Sequence, residues 1–166
     1  MNNTDTRLSE IEIYALLEEI KDPEIPVISV VEMGIIRGII LAGDKLTVRM
    51  TPTYTGCPAL DYMRAEIFAL LRSRSGFSEV EVVVDFNDAW SSNLISESGL
   101  RKLTEFGLAP PGRIQNELQI EWLEKIHCPQ CGSVHTSLQT MFGPTLCRSI
   151  HICHHCGESF EAFKPI

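Results

Sequence analysis

The chemistry open to this sequence is concentrated in six cysteines, and they are unevenly spread. Five of them, Cys128, Cys131, Cys147, Cys153 and Cys156, fall in the last 39 of 166 residues. Four of these five form two Cys-x-x-Cys-Gly knuckles, with 21 residues between Cys131 and Cys153. Each knuckle turns so that two sulfurs converge, and its glycine lets backbone N–H groups point at them. Two such knuckles at this separation are a strong metal signal, and four thiolates suit tetrahedral Zn²⁺ in a closed structural site. A segment of roughly 40 residues buries little core, so the metal would supply folding energy. Left unligated, two exposed thiol pairs would be open to oxidation. The spacing therefore predicts one zinc held by Cys128, Cys131, Cys153 and Cys156. A zinc ribbon has no need of Cys147. That residue reads as core filler, as a replacement ligand, or as a participant in an iron–sulfur cluster, which also takes four cysteines. His127, His151, His154 and His155 are candidate substitute ligands, most of them expected on the knuckle surface.

The sixth cysteine stands alone in Thr51-Pro-Thr-Tyr-Thr-Gly56-Cys57-Pro58-Ala-Leu60. The sequence before this stretch alternates like a strand, and the sequence after it repeats like a helix. Gly56 frees the backbone and Pro58 starts a helix, which predicts Cys57 at the N-cap. There a thiol meets the positive end of the helix dipole and unpaired N–H groups, and both favour the thiolate that attacks or binds metal. Equally, Cys57 reads as a small buried hydrophobe closing a tight turn. A thiol enzyme is the weaker reading, because all five histidines lie in the tail and no general base is evident near Cys57.

The rest of the chain must position these groups. A hydrophobic content of 44% allows a real core. The net charge of −8 argues against a nucleic-acid surface, since phosphate contacts need clustered Lys and Arg. No apolar run approaches the ~20 residues that span a membrane. The first residues lack the basic and apolar regions of a signal peptide, so a cytoplasmic address is expected, with reduced or metal-bound thiols.

Leu8–Ile20 reads as a helix with capping-box spacing at Ser9 and Glu12 and an apolar stripe at Ile13, Leu16, Leu17 and Ile20. Pro23 and Pro26 stop it and open an extended loop, Asp22–Val31, whose acids Asp22 and Glu24 are either solvated or held beside a site. Gly34–Leu41 and Leu46–Thr51 predict a hairpin, with Leu46, Val48 and Met50 on one face and Thr47, Arg49 and Thr51 on the other. Residues 58–73 predict a helix burying Leu60, Met63, Ile67, Leu70 and Leu71, with Gly76 at its exit. Val80–Phe86 completes a strand–helix–strand crossover, which should be parallel. The expected fold class is therefore α/β (α+β): a small two-layer α-β-β-α-β domain over residues 1–88, a connector over 89–126, and a zinc-ribbon-like unit over 127–166. In the connector, Ser96–Phe106 predicts a short helix with Leu100, Leu103 and Phe106 on one side, expected to dock on the first domain beside Trp90. Arg113–Ile126, with Leu118, Ile120 and Trp122, predicts a strand.

Two stretches, Asp22–Arg37 and Thr51–Leu60, resemble the SufT-like family of iron–sulfur cluster assembly and carrier factors over about residues 8–86. Four further pieces, Trp90–Pro111, Cys128–Ser133, Phe142–Cys147 and Cys153–Pro165, are similar to one branch, the D-type accessory proteins of bacterial phenylacetate degradation. That resemblance implies a non-catalytic maturation role beside a multicomponent phenylacetyl-CoA oxygenase (epoxidase) with a di-iron subunit and a flavin and [2Fe–2S] reductase. It implies Asp22, Glu24, Thr51 and Cys57 as the functional patch of the first domain, and the five C-terminal cysteines as ligands to zinc or a cluster. Implied partners are the oxygenase and reductase components or iron–sulfur assembly proteins. The alternative is an integral structural subunit bridging oxygenase and reductase, with Cys57 inert. Pro144 departs from the pattern, where a small residue such as serine is expected.

Overall fold

The computed structural model describes residues 7–54, 56–114 and 126–165, so the strand expected over Arg113–Ile126 falls almost wholly outside the described residues. The chain divides into two compact units at Ala89/Trp90.

The first unit is α-β-β-α-β in chain order, as the sequence predicts. Helix α1 spans Glu10–Leu17. Ser9 caps it, and the reciprocal bond from the Ser9 N–H to Glu12 Oε2 (2.8 Å) completes the capping box. Ile13, Leu16 and Leu17 form its buried stripe. Strands β1 (Ile36–Ala42) and β2 (Lys45–Met50) make an antiparallel hairpin about Gly43-Asp44. Gly43 has φ +61 and Asp44 does not turn positive, the pattern of a type II′ turn, which needs glycine at its first central position. Helix α2 spans Ala59–Arg74 and exits through Gly76 (φ +80). Strand β3 (Glu79–Val84) then pairs parallel to β2, giving the order β1-β2-β3. Leu46, Val48 and Met50 on the central strand are fully buried, as are Ile67 and Leu71 on α2.

The structure departs from the sequence expectations at four places. Thr51 does not join Thr47 and Arg49 on an open face: it is 1% exposed, because it lies past the end of β2. Leu70 is half-buried, and Phe86 is exposed beyond the end of β3. The Asp22–Val31 segment is not an extended surface loop. It is a run of turns whose Ile25, Ile28, Ser29 and Val30 are buried.

The second unit opens with a single 3₁₀ turn (Ser92–Leu94) and helix α3 (Glu97–Glu105), capped by Ser96, whose hydroxyl accepts from the Gly99 N–H. The connector's Trp90 and Leu108-Ala109 pack within this unit. Trp90 packs on Phe163, with ring centroids 5.9 Å apart, and the two-residue strand β4 (Leu108-Ala109) pairs parallel with Glu161-Ala162. Leu103 is buried, whereas Phe106 is exposed at the helix end. Strands β5 (Thr136–Thr140), β6 (Arg148–Cys153) and β7 (Ser159–Phe163) complete a sheet of order β4-β7-β6-β5. A core of Ala109, Cys128, Cys153, Phe160 and Ala162 joins connector and ribbon.

Candidate metal centre and thiol turn

The two knuckles are built alike. The N–H of Gly132 donates to the Cys128 carbonyl (2.8 Å), and the N–H of Gly157 donates to that of Cys153 (2.9 Å). The N–H of Cys128 returns to the Ser133 carbonyl (2.9 Å) and the N–H of Cys153 to that of Glu158 (2.8 Å). Gly132 (φ +73) and Gly157 (φ +79) turn left-handed at this point, which is why the sequence needs glycine there. One knuckle leads toward β5 and the other joins β6 to β7, so the sheet holds them face to face.

All four sulfurs lie within 4.8 Å of one another. Cys128 and Cys156 Sγ are 3.7 Å apart, and Cys131 and Cys153 Sγ are 3.6 Å apart. Sulfurs at ~2.3 Å from one tetrahedral ion stand ~3.8 Å from each other, so two of these pairs already have the spacing of a zinc-type site and the set needs shifts of at most about 1 Å. Cys128 and Cys153 are buried, while Cys131 and Cys156 are exposed. The N–H groups of Cys156 and His155, with neighbouring thiols, hold Cys153 down to about 6. The Glu158 N–H favours the Cys156 thiolate too, but local desolvation by the knuckle and the sulfurs of Cys131, Cys153 and Cys128 outweigh it and push Cys156 up to about 12. Crowded thiols resist full ionisation until a cation neutralises them, which is the behaviour of a metal site.

Cys147 is not one of the four converging sulfurs. Its thiol lies 3.1 Å from the Thr145 hydroxyl, and its carbonyl accepts from the Lys164 N–H (2.9 Å). Of the histidines, 127, 154 and 155 are exposed, as expected, but His151 is wholly buried. Its ring stacks on Phe160, and its Nε2 meets the Ser149 hydroxyl at 2.9 Å.

In the first unit, Gly56 (φ +83) turns the chain into Cys57, and Pro58 already has helical torsion angles (φ −66, ψ −25). The N-cap of α2 is Pro58 and not Cys57 as the sequence predicts, because the helix proper begins at Ala59; Cys57 stands one residue earlier, half-buried, with its carbonyl accepting the Leu60 N–H (3.2 Å). Thr51 is pinned: its hydroxyl donates to the Asp88 carbonyl (2.8 Å) and its N–H to the Ile35 carbonyl (2.9 Å). Asp22 Oδ1 accepts the N–H groups of Glu24 (2.7 Å) and Ile25 (3.1 Å), which shapes the proline loop. That loop faces α2 across a groove of about 310 Å³ lined by Asp22, Pro23, Pro26, Tyr62 and Glu66. Sequence reasoning missed the polar knot behind it. The Ser29 hydroxyl donates to Glu18, and the buried Glu32 accepts the Ser29 N–H (3.1 Å) while its own N–H donates to Ser29 Oγ (2.9 Å). The Ser-x-x-Glu spacing of Ser29 and Glu32 is the signal that would have found it. Among the described residues, the C-terminal cysteines are the only group of three or more metal-ligating side chains.

The fold and the cysteine geometry define the class: an iron–sulfur assembly domain joined to a zinc ribbon. Residues 10–84 match the family described as iron–sulfur cluster assembly protein, and residues 116–164 match the PaaD zinc beta ribbon domain. The chain belongs to the PaaD family. It is 36% identical over 155 residues to an Escherichia coli protein named as a putative 1,2-phenylacetyl-CoA epoxidase subunit, covering 93% of this chain and 92% of that one. It is 32% identical over 104 residues to an Fe-S protein maturation auxiliary factor of Porphyromonas gingivalis, covering 62% of this chain and 97% of that one. Among solved structures it is similar to a DUF59 domain from Bacillus anthracis, at 27% identity and a TM-score of 0.53 over 57% of this chain and 90% of that one. A conserved hypothetical protein from Thermotoga maritima shares the fold at 21% identity, with a TM-score of 0.52 over 62% of this chain and 98% of that one.

Proposed function

We propose that this chain is an accessory maturation factor for the multicomponent phenylacetyl-CoA epoxidase, assisting assembly of its iron–sulfur or di-iron centre in the cytoplasm. One observation carries the reading: a single chain joins near full-length likeness to a protein named for the epoxidase with likeness to an Fe-S maturation factor of which it covers 97%. The cargo is iron or a cluster, and Cys57 is its transient ligand. A half-buried thiol one residue before a helix N-cap lies near the positive end of the helix dipole, which suits a ligand for a cation. Glu24, half-exposed on the proline loop, contacts the client, and Asp22 holds the loop that presents it. Zinc in the four-cysteine site is structural. The chain has no catalytic role of its own, and its partners are the oxygenase and reductase components or the iron–sulfur assembly machinery.

The experiment is Cys57→Ser in cells growing on phenylacetate. The variant should stay soluble and zinc-loaded while the epoxidase is purified deficient in iron or [2Fe–2S]. Normal cofactor loading and growth would sink the reading. The relative's designation as part of the epoxidase favours the second reading, a structural bridge between oxygenase and reductase. A bridge co-purifies with the oxygenase at fixed stoichiometry, and a maturation factor does not.

A further inference from the structure

The loop between β5 and β6, residues 141–147, is exposed and apolar, yet rigidly built. Met141 is 40% exposed, Phe142 67% and Leu146 52%. The loop is held from within: Thr140 Oγ1 receives the Phe142 N–H and donates to its carbonyl, both at 3.2 Å. The Gly143 N–H donates to the Arg148 carbonyl (2.9 Å), and a Cβ on Gly143 would come within 3.2 Å of the Arg148 Cβ. From below, Lys164 Nζ donates to the Met141 carbonyl (3.0 Å) and lies 5.0 Å from the Phe142 ring centroid. A loop ordered in advance gives up little conformational entropy on binding, and exposed aromatic and aliphatic side chains clustered on one tip mark an interaction surface.

Charge identifies what the tip meets. From Ile126 to Cys147 there is no Asp, Glu, Lys or Arg, in a chain where such residues make up 22%. Two cations that adjoin the tip are turned inward: Arg148 is paired with Glu161 (2.8 Å), and Lys164 is buried with its Nζ 5.0 Å from the Phe142 ring centroid. A charged pocket closing over this tip would lose its water and gain no partner, which is costly. Membrane-docking loops draw on basic residues to reach anionic lipid, and residues 141–147 carry none on a chain of net −8. A second copy would bring another −8 against the first.

We propose that the β5–β6 tip, through Phe142 and Leu146 with Met141, docks into an uncharged apolar pocket of a partner protein. Resting on the function proposed above, that partner is a component of the epoxidase. The test uses the full zinc-loaded chain, immobilised, with purified oxygenase and reductase components as probes. One component is captured, with similar affinity at about 50 mM and 500 mM salt, since no ion pair contributes. Phe142→Asp and Leu146→Asp each weaken capture at least about tenfold, as expected of anchor residues, while Phe142→Leu retains it. Unchanged zinc content in every variant certifies folding. Undiminished capture by both Asp variants, or capture lost at high salt, overturns the proposal. So does a tip-dependent dimer in ultracentrifugation, or tip-dependent co-sedimentation with phosphatidylglycerol vesicles, each of which assigns the tip to another occupant. Wild type that captures neither component overturns this proposal and leaves the proposed function to the Cys57→Ser experiment. A functionally silent Cys57→Ser with intact tip-dependent capture removes only the maturation reading.

Discussion

Cys131 and Cys153 belong to different knuckles, yet their sulfurs are as close as two ligands of one ion, 3.6 Å apart. The sheet between the knuckles and the metal within them therefore stabilise each other. Cys131→Ser and Cys153→Ser should each abolish metal binding and expose the ribbon to protease, since a structural zinc supplies on the order of 10 kcal/mol. The first unit should keep its own cooperative unfolding. Metal analysis with limited proteolysis reads both, and full metal content in either variant would refute the four-cysteine site.

Asp22 acts on the backbone. Its Oδ1 receives two N–H groups, so an acceptor oxygen matters more than the charge. Asp22→Asn should alter the stability of the first unit by less than about 0.5 kcal/mol in urea unfolding, and Asp22→Ala should cost about 1–2 kcal/mol. Equal losses in the two variants would show that the charge carries the effect.

Thr51 is pinned to the segment after β3. Thr51→Val keeps the shape but leaves the Asp88 carbonyl without this donor, for an expected loss of about 1–2 kcal/mol. Thr51→Ser should recover most of it. A Val variant as stable as wild type would remove the hydroxyl from the structural account.

Two acids at the end of the first unit set its acid sensitivity. The Arg37 guanidinium (2.8 Å) holds Asp88 below the ordinary 3.8, and the Asn87 N–H with Arg49 does the same for Asp85. The folded state binds these protons less readily than the unfolded chain does. Their contribution is thus complete above about pH 5 and lost as pH falls through 3.8 and below. Arg37→Leu should lower the unfolding midpoint at pH 6 and much less at pH 3. The same deficit at both values would mean that the side chain acts through packing alone.

The sequence displayed whatever depends on near neighbours. The Ser9–Glu12 capping box, the alternation of Leu46, Val48 and Met50, the hairpin of β1 and β2 and both knuckles are set by residues within a few positions of one another, and each appears as read. What it hid depends on distant partners. Nothing in Leu108-Ala109 announces a strand, because its partner lies at Glu161-Ala162. Thr51 sits on the alternation of β2 but past its end, so its burial is decided by Asp88. Phe86 and Phe106 extend apolar patterns beyond the elements that bury them, and both end in solvent. His151 resembled a surface residue of the knuckle only because the stacking Phe160 stands on another strand.

Strand β7 carries a consequence for synthesis. It is made after β4, β5 and β6, yet it lies inside the sheet, between β4 and β6. The first unit has every strand it needs once residue 84 has emerged from the ribosome. The second remains open until residue 163 is translated, with β4 waiting for a partner and β6 for its second neighbour. Cys128 and Cys131 are thus translated well before the sheet that presents them is closed, and premature termination anywhere before β7 leaves the connector as well as the ribbon unfolded.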